Sequence, residues 1–147
     1  MRFQKQLFRH RPTEGIYGDC ARTVIACFLD IDPEEVPHVH GELDGGEQFE
    51  MHEKFLRERG YARVAIPFPC EDVDAILNTG SHYSNGMPYI LAGKSKNGTA
   101  HVVICRGAEI ISDPALDDAG IVGPDQSGYF WIEWIVRPVE VEEIAAK

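Results

Sequence analysis

Three side chains along this sequence could together make an activated thiol: Cys20 after Gly18-Asp19, His101 at the head of HVVIC, and Asp113 at the end of EIISD. A thiol attacks a carbonyl only as the thiolate. A helix N-terminus favours that form, because its unpaired backbone N–H groups and the helix dipole stabilise negative charge. Cys20 is the one cysteine placed to open a long helix. Cys27 falls two turns further along the same segment, Cys105 sits inside an apolar strand, and Cys70 follows Pro69 at the head of a short helix. Cys27 and Cys105 therefore read as buried and inert.

A nucleophilic thiol needs a base, and the base needs a third group to fix its tautomer. Of the six histidines, His101 stands where its ring can emerge at a sheet end while the following Val102-Val103-Ile104 anchors the strand. The turn at Arg106-Gly107-Ala108 sends the chain back along EIISD to Asp113. If those three residues form the loop, Cys105 faces Glu109 and His101 lies opposite Asp113, with Cβ atoms roughly 5 Å apart. A two-residue loop would put them on opposite faces. Taken singly, His101 also reads as an ordinary hydrogen-bonded strand end, and Asp113 before Pro114 as the start of a turn.

The elements that must position these groups follow from periodicity. From Cys20, the apolar positions Val24 to Leu29 fit a nearly all-round buried helix with Asp19 as its N-cap, ending near Asp30-Ile31. Asp32-Pro33-Glu34-Glu35 predicts a separate helical turn, and residues 47–59 an amphipathic helix with Phe49, His52, Phe55 and Leu56 on one face. Tyr61 to Ile66 reads as a strand, Glu71 to Leu77 as a short helix, and Asn78 to Met87 as a loop. Tyr89 to Ala92, His101 to Cys105, Glu109 to Asp113 and Tyr129 to Val136 read as strands. Trp131 and Trp134 are three apart in the last of these and so face opposite ways, one to the core and the other to line a groove or cover the sheet. Helices first and antiparallel strands second make an α+β fold.

Composition bounds the rest. The 147 residues fit one domain, residues 1–147, with 1–12 and 138–147 as flexible ends. Apolar residues at 44% suffice for a continuous core. Fourteen Lys and Arg against twenty-four Asp and Glu give a net charge of -10, which repels a phosphate backbone and argues against nucleic acid as a partner. Arg2, Lys5, Arg9 and Arg11 form the one basic stretch, read here as a solvated end rather than a binding patch. No apolar run is long enough to span a bilayer, and the polar start lacks a signal-peptide core, so the expectation is a cytoplasmic protein with no membrane partner. Four cysteines without a CxxC pair suit free thiols in a reducing compartment. His38, His40, His52 and Glu42 are spaced too loosely for a metal site, and no cofactor is implied.

The segments GDCARTVIACFLDIDPEEVPH, HVVICRG and ISDPALDDAG resemble a family of small bacterial and phage papain-like proteins, related to the double-glycine leader peptidases of bacteriocin export. The resemblance spans roughly residues 13 to 135. It implies a papain-like α+β fold with an N-terminal central helix packed on an antiparallel sheet of about four to six strands. It also implies Cys20 as nucleophile, His101 as base and Asp113 as the orienting acid of a cysteine hydrolase that cleaves amide, peptide or related acyl bonds. One position departs from the family pattern. A Gln about six residues before the cysteine usually donates to the oxyanion, and here that place falls near Glu14, beside Thr13. An ionised Glu cannot donate, so the oxyanion site is assigned to the Cys20 backbone with Thr13 and Glu14 at its edge, and Gln4 or Gln6 as alternatives. Two other readings stand beside hydrolysis: a catalytically silent papain-fold binding protein, and an acyl transferase that passes the thioester to an amine. The acidic balance favours a cationic peptide or amine as partner.

Overall fold

The computed structural model describes residues 1–8, 18–38 and 45–139. Thr13, Glu14, His40 and Glu42 lie outside them, as do Arg9 and Arg11. Helix α1 runs Cys20–Leu29, a 3-10 turn Pro33–Glu35, and helix α2 Gly45–Glu58. Strand β1 (Ala62–Pro69) precedes helix α3 (Val73–Ser84), after which come β2 (Tyr89–Lys94), β3 (Ala100–Arg106), β4 (Glu109–Ser112) and β5 (Tyr129–Val136). The fold is α+β: three α-helices among the described residues and a five-stranded sheet in the order β1-β5-β2-β3-β4, each neighbouring pair antiparallel. No helix among the described residues is long and apolar enough to cross a membrane.

Strand alternation divides the core in two. Ile90 and Ile104 meet Val24 and Cys27 of α1 on one face. Leu91, Val103, Phe130, Ile132 and Trp134 meet Ile76 and Leu77 of α3 on the other. Leu56 of α2 packs behind α1 against Ile25, Ala26 and Val36. Each such aliphatic side chain, withdrawn from water, contributes roughly 1.5–3 kcal/mol before entropy is subtracted. These contacts fix the start of α1 over the sheet.

Three local expectations are corrected. The segment Asn78–Met87 is helical as far as Ser84 rather than a loop, and the chain leaves α3 through Asn85 (φ 50) and Gly86 (φ 82). Gly80 looks like a helix breaker in sequence. In the structure it lets α3 approach Tyr89 so closely that a Cβ there would lie 2.4 Å from the Tyr89 ring.

The hairpin turn is the second correction. Arg106 pairs with Glu109 and Cys105 with Ile110, so the loop is the two residues Gly107-Ala108, with Gly107 at φ 58. That register alone would send Asp113 to the face opposite His101. A bulge between Ile104 and Cys105 intervenes, and Ile104 pairs with Ser112. The extra residue restores the parity, because side-chain direction has period 2 and one inserted residue flips every position beyond it.

The third concerns Asp19. It occupies the N-cap position of α1 but makes no side-chain cap bond. Its carboxylate, fully buried, instead accepts from the backbone N–H groups of Leu7 (3.2 Å) and Phe8 (2.9 Å) and from Arg22 Nε (3.0 Å). The basic N-terminus is thus strapped to the body. Arg2 N donates to Cys27 O at 3.1 Å, Gln4 Nε2 to Ile31 O at 2.9 Å, and Gln6 N to Pro114 O at 2.7 Å.

Candidate active site

Cys20 is the first residue of α1 and is partly exposed, whereas Cys27 and Cys105 are buried. Burial pushes the Cys27 thiol up, and pushes that of Cys105 up to about 12. Cys70 is partly exposed and its sulfur lies 3.4 Å from Asp72 O. Among the described residues, the Cys20 thiol is the one that meets an imidazole.

His101 Nε2 lies 2.6 Å from Asp113 Oδ1, with both side chains at least nine-tenths buried. This occupies Nε2, and the Cys20 side chain is the other neighbour that acts on the ring. Burial is the largest single influence on His101 and works against its charged form. Hydrogen bonds to Asp113 and Cys20, with the negative charge on both, outweigh it and lift the imidazole to about 9.

Asp113 is held from behind. Its Oδ1 also accepts from Ala115 N (2.9 Å), and its Oδ2 from Gly120 N (2.7 Å). Burial alone would raise this carboxyl; the bonds from His101, Ala115 and Gly120 prevail and hold it below its ordinary value. The loop itself is pinned by Lys5, whose ammonium donates to Asp113 O at 3.0 Å, to Ala115 O at 2.9 Å and to Asp118.

Cys20 and His101 border two contiguous hollows. One, about 270 Å³, is lined by Gln6, Asn97, Thr99, Leu116 and Asp117. The other, about 320 Å³, is lined by Gln48, Gly93, Asp125 and Trp131. Trp131 and Trp134 do face opposite ways: Trp134 joins the core and donates to Ser84 Oγ at 2.9 Å, while Trp131 forms a wall of the groove and donates to Asp125 Oδ2 at 3.2 Å.

For the oxyanion, the backbone N–H of Cys20 sits at the helix start, while Thr13 and Glu14 fall outside the described residues. Gln4 is spent on Ile31. Gln6 is nearly buried, lines the cavity with Cys20, and donates one amide hydrogen to Phe8 O at 2.5 Å. Its amide nitrogen carries a second hydrogen that this bond leaves over. Sequence reasoning offers Gln6 only as one substitute among several and misses Lys5, Arg22 and Gln48 altogether. Lys5 and Gln48 reach the site from parts of the chain distant from Cys20 and His101, so no local pattern marks them, whereas Arg22 bonds Asp19 only three residues before it.

His52 is buried, held 2.9 Å from Pro37 O, and lowered by burial to about 4. A carbonyl partner requires Nε2 to carry the proton, so this is a neutral structural imidazole. His38 stacks on Phe8 with centroids 5.9 Å apart. Among the described residues no group of three or more His, Cys, Asp or Glu side chains is placed to hold a metal.

Compared with known proteins, the chain matches no family model, no curated protein and no solved structure.

Proposed function

We propose that this chain is a papain-like cysteine hydrolase acting on an amide, peptide or related acyl bond. The observation that carries the reading is the single imidazole of His101, bonded through Nε2 to Asp113 and lining the same hollow as the thiol at the head of α1. A helix start, an oriented base and an ionised acid behind it are the parts of an activated nucleophile.

In the proposed reaction the Cys20 thiolate adds to the acyl carbon, and the electron pair of the carbonyl moves onto its oxygen. The Cys20 N–H and the Gln6 amide are the donors for that oxyanion. Collapse expels the amine, which takes a proton from the His101 imidazolium and leaves a thioester. Neutral His101 then removes a proton from water as the water oxygen attacks the thioester. Release of the acid returns the thiolate and the imidazolium. Asp113 stays ionised throughout and holds the ring.

The test is Cys20→Ala set against a screen of amide and thioester substrates, with thermal melting as control. Hydrolysis should fall to background while the melting temperature stays within a few degrees, because Cys20 lies at a cavity and not in the core. A large stability loss, with turnover unchanged in the folded fraction, would make Cys20 structural.

A further inference from the structure

Beside the Cys20 groove lies a smaller hollow of about 150 Å³ that shares Ala21, Gln48 and Val102 with it. Its apolar walls include Val24, Phe49 and Ile90. Two charged groups also line it, Arg63 and Glu133, whose side chains are 6% and 10% exposed.

The guanidinium of Arg63 is not fully satisfied. Arg63 Nη2 donates to Phe49 O at 3.1 Å, and its guanidinium lies over the Phe49 ring 3.8 Å from the centroid. Arg63 Nη1 stands 3.4 Å from Glu133 Oε1, an ion pair longer than an ordinary charge-assisted hydrogen bond. Arg63 Nε is buried and has no hydrogen-bond partner among the described residues. Buried donors are rarely left this way without a ligand or water to meet them. Of the other polar walls, Gln48 and His52, the latter is neutral and committed to Pro37 O.

We infer that this hollow is a specificity pocket for a primary amide side chain, Gln before Asn, on the acyl side of the substrate proposed above. An amide oxygen accepts from the Arg63 guanidinium, and the amide NH₂ donates to Glu133. A carboxylate would meet Glu133 and a guanidinium would meet Arg63, so both are repelled. An aliphatic side chain would leave Arg63 Nε unpaired and give the ion pair no further hydrogen bond. The volume equals that of about five waters at ~30 Å³ each, which suits the five heavy atoms of a Gln side chain better than a Ser or Thr. The inference rests on the cysteine hydrolase reading, since it places the substrate over Cys20.

The test uses peptidyl chloromethyl ketones with Gln, Glu or Leu at the residue bearing the ketone or at the one before it. Alkylation of Cys20, with loss of chloride, is followed by mass spectrometry. In the wild type, Gln at one of these two positions should react at least about tenfold faster than Glu or Leu. In Glu133→Gln, confirmed folded by its melting curve, a donor replaces the carboxylate, and the Glu ketone should gain on the Gln ketone by at least about tenfold. No Gln preference in the wild type overturns the pocket, whether the ketones react indifferently or not at all, and this arm needs no variant to fold. A Gln preference that Glu133→Gln leaves unchanged overturns it too. Iodoacetamide separates this failure from failure of the hydrolase reading: labelling of Cys20 that slows in His101→Ala keeps the reading while the pocket falls.

Discussion

His101 and Asp113 meet at 2.6 Å even though the loop of their hairpin is one residue too short to bring them to the same face. The bulge that pairs Ile104 with Ser112 supplies the missing residue. The contact therefore depends on backbone irregularity as much as on the side chains it joins. Inserting one glycine between Ser112 and Asp113 should send Asp113 to the other face and remove the ring's partner. Loss of the low-field imidazole N–H resonance in proton NMR, with strand content retained, is the expected signature.

Thiol reactivity follows burial and partners. Cys20 should be alkylated by iodoacetamide at neutral pH at least about tenfold faster than Cys70, with Cys27 and Cys105 unlabelled until the protein unfolds. Peptide mapping of the folded protein decides it. First labelling at Cys70 would take the nucleophile assignment away from Cys20.

The raised His101 imidazole links stability to pH. Between its ordinary 6.5 and about 9 the folded state binds a proton that the unfolded state has lost. Stability from this group is complete below pH 6.5 and is lost as pH rises through about 9. The displacement corresponds to about 3 kcal/mol in all. Urea unfolding at intervals from pH 6 to 9.5 should show this decline in the wild type and a flatter curve in His101→Ala. A wild type that gains stability across that interval would contradict the assigned proton.

Gln6 distinguishes oxyanion stabilisation from thiol activation. Gln6→Ala should lower kcat on an amide substrate by about 10²–10³, the usual effect of removing one such donor. Alkylation of Cys20 by iodoacetamide develops no oxyanion and should proceed nearly as before. Equal losses in both assays would mean that Gln6 serves only to seat the N-terminal strap.

What the sequence discloses and what it conceals divide along the range of the interactions. The head of α1 is legible because an apolar run after Gly18-Asp19 can only be a buried helix, and the strands because β-branched and aromatic residues gather between turn signals. The bulge is not legible, since any residue type at Ile111 would fit it. The second half of α3 hides behind Gly80, whose purpose shows only when Tyr89 is laid against it. Asp19 looks like a cap, yet its carboxylate serves residues eleven and twelve positions earlier. Lys5 reaches Asp113 across 108 positions, a link that no local spacing could disclose.

Asp113 offers the sharpest separation of a working triad from a fortunate contact. Both its oxygens are acceptors, taking N–H donors from His101, Ala115 and Gly120. In Asp113→Asn one oxygen remains. If it keeps the Oδ1 place, it still receives His101 and Ala115, but the new NH₂ faces the Gly120 N–H, donor against donor. The ring stays oriented while the negative charge that favours its protonated form is gone, at a stability cost of about 1–3 kcal/mol for the spoiled bond. Asp113→Ala loses orientation and charge together. His101→Ala removes the base and the cation that accompanies the thiolate. The rate of Cys20 alkylation at neutral pH should therefore fall in the order wild type, Asp113→Asn, Asp113→Ala, His101→Ala, each variant first shown to be folded. A profile in His101→Ala that superposes on the wild type would dismantle the triad. A normal profile in Asp113→Ala alone would leave a Cys-His pair, with Asp113 serving only to tie the loop from Pro114 to Gly120 against the sheet.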